Sequence, residues 1–211
     1  MTDAPLHTRA TYEVIARDYE QRQLTFTRGW GADLRDELAA SLAPNSCVAD
    51  IGCGPGFDAA ALRTAGHRVI GLDYTHAMLL RAKSRHDSLI ECDMRSLPIA
   101  SHSLDAIWSS YAILHVPAED LAATLSGFVR VLRPGGRVCL LFAHGAEPSD
   151  EPAHSELETV DYAPGLTRTY VYVSPHHVRA LMIDAGFVID EIGAEPGAAR
   201  GAFWVRAHTP A

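Results

Sequence analysis

The residues with the most chemistry in this sequence lie in one run, Val48-Ala49-Asp50-Ile51-Gly52-Cys53-Gly54-Pro55-Gly56, where an apolar segment passes into three glycines spaced by one residue. Glycines so spaced let backbone approach a ligand closely, and such a turn sits at the carboxyl end of a parallel strand, beside the point where ligands settle in open α/β sheets. Nicotinamide-binding folds share the turn, so it decides little alone. Two further acids narrow the chemistry. Asp73 closes the run Val69-Ile70-Gly71-Leu72, about 20 residues past the glycines, the spacing of an acid that accepts both ribose hydroxyls. Asp93, in Glu91-Cys92-Asp93-Met94, follows the next apolar run and falls on the same edge. There it is placed to accept from the exocyclic amino group of adenine, with the Met94 amide meeting a ring nitrogen and Asp50 near an amino group of the ligand. Each charge-assisted bond is worth about 1.5–3 kcal/mol. A dinucleotide would bring its pyrophosphate against the Asp50 carboxylate, whereas a cationic nucleoside without phosphate is attracted by these acids.

The elements that must position these residues follow from periodicity. Short apolar runs alternate with amphipathic stretches, the pattern of a parallel sheet joined by crossover helices. Strands are expected at Cys47 to Ile51, His67 to Leu72, Leu89 to Cys92, Leu104 to Ser109, Gly136 to Phe142, Phe187 to Ile192 and Ala202 to Ala207. Helices are expected at Phe57 to Ala65, ended by Gly66, and at Asp120 to Leu132, ended by Arg133-Pro134-Gly135-Gly136. Two more precede the sheet, Arg9 to Gln23 with Tyr12, Ile15, Ala16 and Tyr19 at helical spacing, and Ala32 to Leu42. Tyr12 and Tyr19 read either as a core stripe or as a cover over a ligand. From Ala143 to Tyr162 the chain is Pro-rich and acidic, with Glu147, Asp150, Glu151, Glu156, Glu158 and Asp161, and is expected as a long connection outside the core, a lid or a solvated spacer. The layout is one domain over residues 1–211, with a helical cap at 1–44, a ligand-binding core at 45–142, the possible lid at 143–173 and a helix with strands at 174–211.

Composition restricts the partners. A length of 211 residues suits a single core. The net charge of -8 argues against nucleic acid, which is bound by clustered Lys and Arg. Cys47, Cys53, Cys92 and Cys139 lack the close pairing of zinc sites or disulfide scaffolds and read as free, buried thiols. Met1 to Ala10 lacks the apolar centre of a signal peptide, and no apolar run is long enough for a membrane span. The expectation is a cytoplasmic protein that binds neither membrane nor nucleic acid.

The ordered set of Asp50, the glycines, Asp73 and Asp93, continued by Leu104-Asp105-Ala106-Ile107-Trp108-Ser109-Ser110, Ile113-Leu114-His115 and Leu132-Arg133-Pro134-Gly135-Gly136-Arg137-Val138, resembles the class I S-adenosylmethionine-dependent methyltransferases, in their small-molecule branch. The likeness covers roughly residues 9–207. It implies an α/β, Rossmann-like sheet of seven strands, mostly parallel with the last, near Phe203 to Ala207, antiparallel, helices on both faces and an N-terminal helical cap. It also implies S-adenosyl-L-methionine as cofactor, a small methyl acceptor as partner, and a monomer or homodimer. The implied cofactor site comprises Tyr19, Asp50, Gly52, Cys53, Gly54, Gly56, Asp73, Tyr74, Met78, Cys92, Asp93, Met94, Ser109 and Ser110.

Methyl transfer needs a nucleophile in line with the sulfur–methyl bond, so positioning supplies much of the rate, and a base is needed only for some acceptors. His115, just past the fourth strand, is the first candidate base because imidazole titrates near working pH. His144, at the carboxyl end of the fifth, is the second. Tyr111 is a candidate for the acceptor pocket. Arg168, Tyr170 and Tyr172 read either as further pocket residues or as one wet face of a strand. His176 and His177, following Ser174-Pro175 at a helix start, read as surface residues. Ser109, Ser110 and His144 stand where a magnesium site would need hard oxygen ligands, so no metal is expected. The expected activity is methyl transfer to an O or N atom of a small metabolite. The alternatives are a cofactor-binding module that regulates or catalyses another reaction on the same fold, and a protein or peptide methyltransferase.

Overall fold

The computed structural model describes residues 4–25, 30–144, 153–194 and 201–211. Two helices, α1 (Ala4–Thr25) and α2 (Trp30–Ala40), precede β1 (Cys47–Ile51), α3 (Phe57–Thr64), β2 (Arg68–Asp73), α4 (His76–Ala82), β3 (Ser88–Glu91) and β4 (Leu104–Ser109). Short 3-10 turns at Ile113–His115 and Ala118–Asp120 lead to α5 (Leu121–Val131), β5 (Leu132–His144), β6 (His154–Thr159), β7 (Thr167–Tyr172), α6 (Pro175–Ala185), β8 (Val188–Ala194) and β9 (Gly201–His208). Seven strands form one sheet in the order β3-β2-β1-β4-β5-β9-β8. Neighbours from β3 to β5 are parallel, and β9 runs antiparallel to both β5 and β8. This is the expected Rossmann-like arrangement, with an antiparallel last strand.

Alternation along the central strands divides the interior into two layers, because successive side chains point to opposite faces. Ala49, Ile51, Ile107, Leu140 and Phe142 pack with Leu121, Leu125 and Phe128 of α5 and with Val178 and Met182 of α6. Val48, Val69, Ala106, Trp108, Cys139 and Leu141 pack with Leu34 and Leu38 of α2 and with Ala59 and Leu62 of α3. All of β1 is buried, as a strand covered on both faces must be. Local signals set the helix limits. The Ser174 side chain accepts from the His177 amide at 3.1 Å, Pro175 opens α6, and Gly186 at φ 106° closes it.

One expectation is corrected. The acidic stretch after β5 is not a structureless connection throughout: β6 pairs antiparallel with β7 in a two-stranded ribbon, Glu158 opposite Arg168 and Glu156 opposite Tyr170. The alternation in His154-Ser155-Glu156-Leu157-Glu158-Thr159 suits a ribbon, whose backbone groups β7 satisfies. Residues 145–152, with Glu147, Asp150 and Glu151, lie outside the described residues. Nor does β7 have a wet face, since Tyr172 is buried and Arg168 and Tyr170 are partly so.

Candidate active site

The carboxyl ends of β1 to β4 meet beside the glycine turn. Gly52, Gly54 and Gly56 have φ of 71°, 50° and 83°, left-handed geometry that penalises any side chain. A Cβ on Gly52 would lie 2.1 Å from the Ala112 Cβ, so the segment after β4 closes directly over the turn. The Gly54 amide donates to Asp73 Oδ2 and the Thr75 amide to Oδ1, both at 2.8 Å. Asp73 thus joins the ends of β1 and β2, and each of its oxygens keeps a lone pair for a ligand. Burial raises its pKa, while the Gly54 and Thr75 bonds oppose the rise.

A cleft of about 840 Å³, counted out to its mouth, opens from this turn. Of the residues expected in the cofactor site, Tyr19, Gly52, Gly54, Asp73, Tyr74, Met78, Cys92, Asp93, Met94 and Ser110 line it, joined by Tyr12, Tyr111, Ala112 and His115. The acids hold their geometry through neighbours. Asp93 accepts from Arg95 at 2.7 Å, and Arg95 reaches Asp120 at the same distance.

Four expected residues do not line the cleft. Asp50 lies below the turn, 2% exposed, with Oδ2 at 3.3 Å from His86 Nε2. Burial pushes its pKa up to about 6 against the His86 contact. Gly56 serves the same imidazole, for a Cβ there would meet His86 Cε1 at 2.5 Å. Cys53 packs with Leu79 and Ala82. Ser109 Oγ donates to the Ile51 carbonyl at 2.9 Å and ties β4 to β1. His144 pairs through its backbone with Gly201, and its side chain lies outside the described residues.

The far wall is built by α1, which packs against the ribbon. Thr8 Oγ1 accepts from the Thr169 amide at 3.0 Å, and Thr11 Oγ1 donates to the Thr167 carbonyl at 2.6 Å, which docks α1 on β7. Glu13 accepts from the amides of His76 and Ala77 at 2.8 and 3.0 Å and so caps α4. Between these attachments Tyr12 and Tyr19 meet edge to face at 5.7 Å. The Tyr12 hydroxyl lies 3.1 Å from His115 Nε2, and Arg168 Nη1 donates to that hydroxyl at 3.1 Å. Tyr170 packs on His115 at 5.1 Å. Burial, aided by the Arg168 charge, takes His115 down to about 4. The reading of His115 as a group titrating near working pH is therefore corrected: desolvation holds the ring neutral. Sequence reasoning missed Thr8, Arg9, Thr75 and Arg95 as cleft residues. Of these, only Arg95, two places after Asp93, carried a local signal.

Residues 49–140 match the family described as a methyltransferase domain. The chain has the fold of solved S-adenosylmethionine-dependent methyltransferases. The chain is 38% identical over 93 residues to a malonyl-[acyl-carrier protein] O-methyltransferase of Erwinia billingiae, covering 43% of this chain and 36% of the relative. It is 33% identical over 185 residues to a 37.1 kDa protein in transposon TN4556 of Streptomyces fradiae, covering 78% of this chain and 49% of the relative. The chain thus spans between a third and a half of the length of these curated relatives. The same fold appears in the 1,6-didemethyltoxoflavin-N1-methyltransferase of Burkholderia thailandensis, with TM-score 0.74, 20% identity and coverage of 100% of this chain and 92% of that one.

Proposed function

We propose that this chain transfers the methyl group of S-adenosylmethionine to an O or N atom of a small acceptor. The observation that carries the reading is the Asp73 carboxylate, fixed by the Gly54 amide at 2.8 Å and facing a cleft shared with Asp93 and Met94. The residues fit the cofactor. Gly52 and Gly54 bring bare backbone to the cleft, Asp73 offers acceptors for ribose hydroxyls, and Asp93 offers one for an adenine amino group. The acids also suit a cation without phosphate.

When bound, the cofactor supplies an activated methyl group on a sulfonium. The chain's own residues bind, orient and exclude water. Tyr12, Tyr19 and Tyr111 wall the cleft. His115, held neutral with both ring nitrogens engaged by the Tyr12 hydroxyl and the Thr169 carbonyl, shapes the wall of the cleft rather than acting as a strong base. Placement of α1 along the cleft, held to the ribbon through Thr8 and Thr11, favours a small molecule over a protein side chain, which needs an open groove.

The test has two arms. Calorimetry with S-adenosylhomocysteine should give saturable binding at one site per chain. Incubation with methyl-labelled cofactor and metabolite extracts should move label onto a small product seen by mass spectrometry. Binding without labelled product across several extracts would favour the regulatory or non-methylating module; no binding at all would sink the cofactor assignment.

A further inference from the structure

Three non-glycine residues among those described have a left-handed backbone: Asn45 at φ 63°, His102 at 54° and Tyr111 at 53°. Asparagine and histidine are types that tolerate this region, whereas a bulky aromatic residue in it is an outlier. The turn accounts for the backbone. Two residues past β4, Tyr111 turns the chain so that Ala112 lies against Gly52, and glycine would make the same turn without strain. The side chain is what the turn does not account for. Burial does not call for it either, since Tyr111 is 44% exposed, and the space it borders is the cleft. Strain kept at the lining of a cleft points to a side chain held there for a ligand.

Strand order indicates which ligand. In β3-β2-β1-β4, Asp73 at the end of β2 and Asp93 just past β3 stand to one side of β1 and its glycine turn, and Tyr111, just past β4, stands to the other. The ribose and base of the cofactor belong with the acids, so Tyr111 borders the part of the cleft left for the second substrate. The same segment after β4 carries His115, whose ring meets that of Tyr12 edge to face at 5.4 Å, and both line the cleft. The arginines of the lining are engaged with acids: Arg9 holds Glu91 at 2.6 Å, and Arg95 holds Asp93 and Asp120 at 2.7 Å. What this wall offers a ligand is ring surface.

We propose that Tyr111 is a specificity-determining residue whose ring packs on a flat aromatic ring of the methyl acceptor, so that the substrates of this chain are planar aromatic molecules rather than saturated ones. Aromatic rings attract one another through their quadrupoles, and a saturated ring of the same outline has none to offer. The word acceptor rests on the methyl-transfer reading; the ring contact is tested separately.

The test uses the whole chain, saturated with S-adenosylhomocysteine as checked by calorimetry, in NMR titrations with 2-naphthol and decahydro-2-naphthol, which share a carbon skeleton and a hydroxyl and differ in flatness. Wild-type protein should prefer 2-naphthol by about threefold or more, the worth of one aromatic pair. Tyr111→Gly, the residue that the turn itself favours, should cut that preference to about a third or less, whereas Tyr111→Phe, which keeps the ring, should hold it within about twofold. Equal or absent binding of the two probes by the wild type, a preference that survives in Tyr111→Gly, or a loss in Tyr111→Phe as large as in Tyr111→Gly overturns the assignment and leaves the cofactor reading standing. Should Tyr111→Gly not fold, Tyr111→Asn also suits a left-handed backbone and carries the same expectation. If S-adenosylhomocysteine fails to bind the wild type, the cofactor reading falls, and the two probes still judge the ring contact on the unliganded chain.

Discussion

The Tyr12 hydroxyl donates to His115 Nε2, and the direction of that bond is fixed from the far side of the ring, where Nδ1 lies 2.7 Å from the Thr169 carbonyl. A carbonyl only accepts, so Nδ1 carries the proton and Nε2 the lone pair. Arg168, donating to the Tyr12 oxygen, completes a chain with one sense throughout. Removing its middle member should therefore act on the imidazole. In Tyr12→Phe the neutral ring loses its donor, and the pKa of His115 should rise from about 4 toward the ordinary range, as read by NMR titration of the ring. An unchanged value would separate Tyr12 from the control of His115.

Asp73→Ala should weaken S-adenosylhomocysteine binding by at least about tenfold in calorimetry, since two charge-assisted acceptors disappear. Asp73→Asn should lose nearly as much, because one of the two amide nitrogens now held by carboxylate oxygens would face an NH2 group.

Two glycines of left-handed conformation provide an internal comparison. Gly52→Ala places a methyl 2.1 Å from Ala112, whereas Gly66→Ala, at φ 94°, meets nothing within 4 Å. Backbone strain alone costs about 1–2 kcal/mol. Chemical denaturation should show Gly52→Ala to be the more damaging by at least about 2 kcal/mol, the added cost of overpacking. Equal losses would mean that the segment after β4 yields freely.

Stability against pH should conceal two opposed slopes. His115, down to about 4 in the fold, is protonated in the unfolded chain below about 6.5; stability therefore falls as pH drops across that interval. Asp50, up to about 6, is ionised in the unfolded chain above about 3.9; stability therefore falls as pH rises from there to about 6. Each term reaches at most about 3 kcal/mol, and that of His115 is smaller because its ring borders the cleft and is partly solvated. Relative to wild type, Asp50→Asn should gain stability with rising pH between about 4 and 6, and His115→Gln should lose it between about 4 and 6.5. Parallel curves for all three proteins would refute both shifts.

The centre of the sheet was legible because β1 and β4 are buried on both faces and read as apolar runs; Cys47–Ile51 and Leu104–Ser109 agree to the residue. Asp73 and Asp93 were legible because a strand end places a carboxylate on a known edge. An edge does not specify a face, and Asp50 turned down toward His86, a ring in the turn after α4 with no sequence mark of its insertion between Gly56 and Gly71. The ribbon was hidden by its acids, which resemble a solvated spacer until β7 supplies the ladder. The environment of His115 was beyond reach altogether: Tyr12 and Arg168 are 156 residues apart, and no spacing encodes their meeting.

The position of β9 sets the order in which this sheet can be finished. β8 adjoins the sheet only through β9, which follows it in the chain. During synthesis β8 leaves the ribosome before its bridge exists, and the flank of β5 beside Leu140 and Phe142 stays open as a template for other nascent chains. That hazardous interval ends only when Gly201–His208 threads between its two neighbours, so a premature stop in the last codons of this segment would disable an interior strand rather than trim an edge.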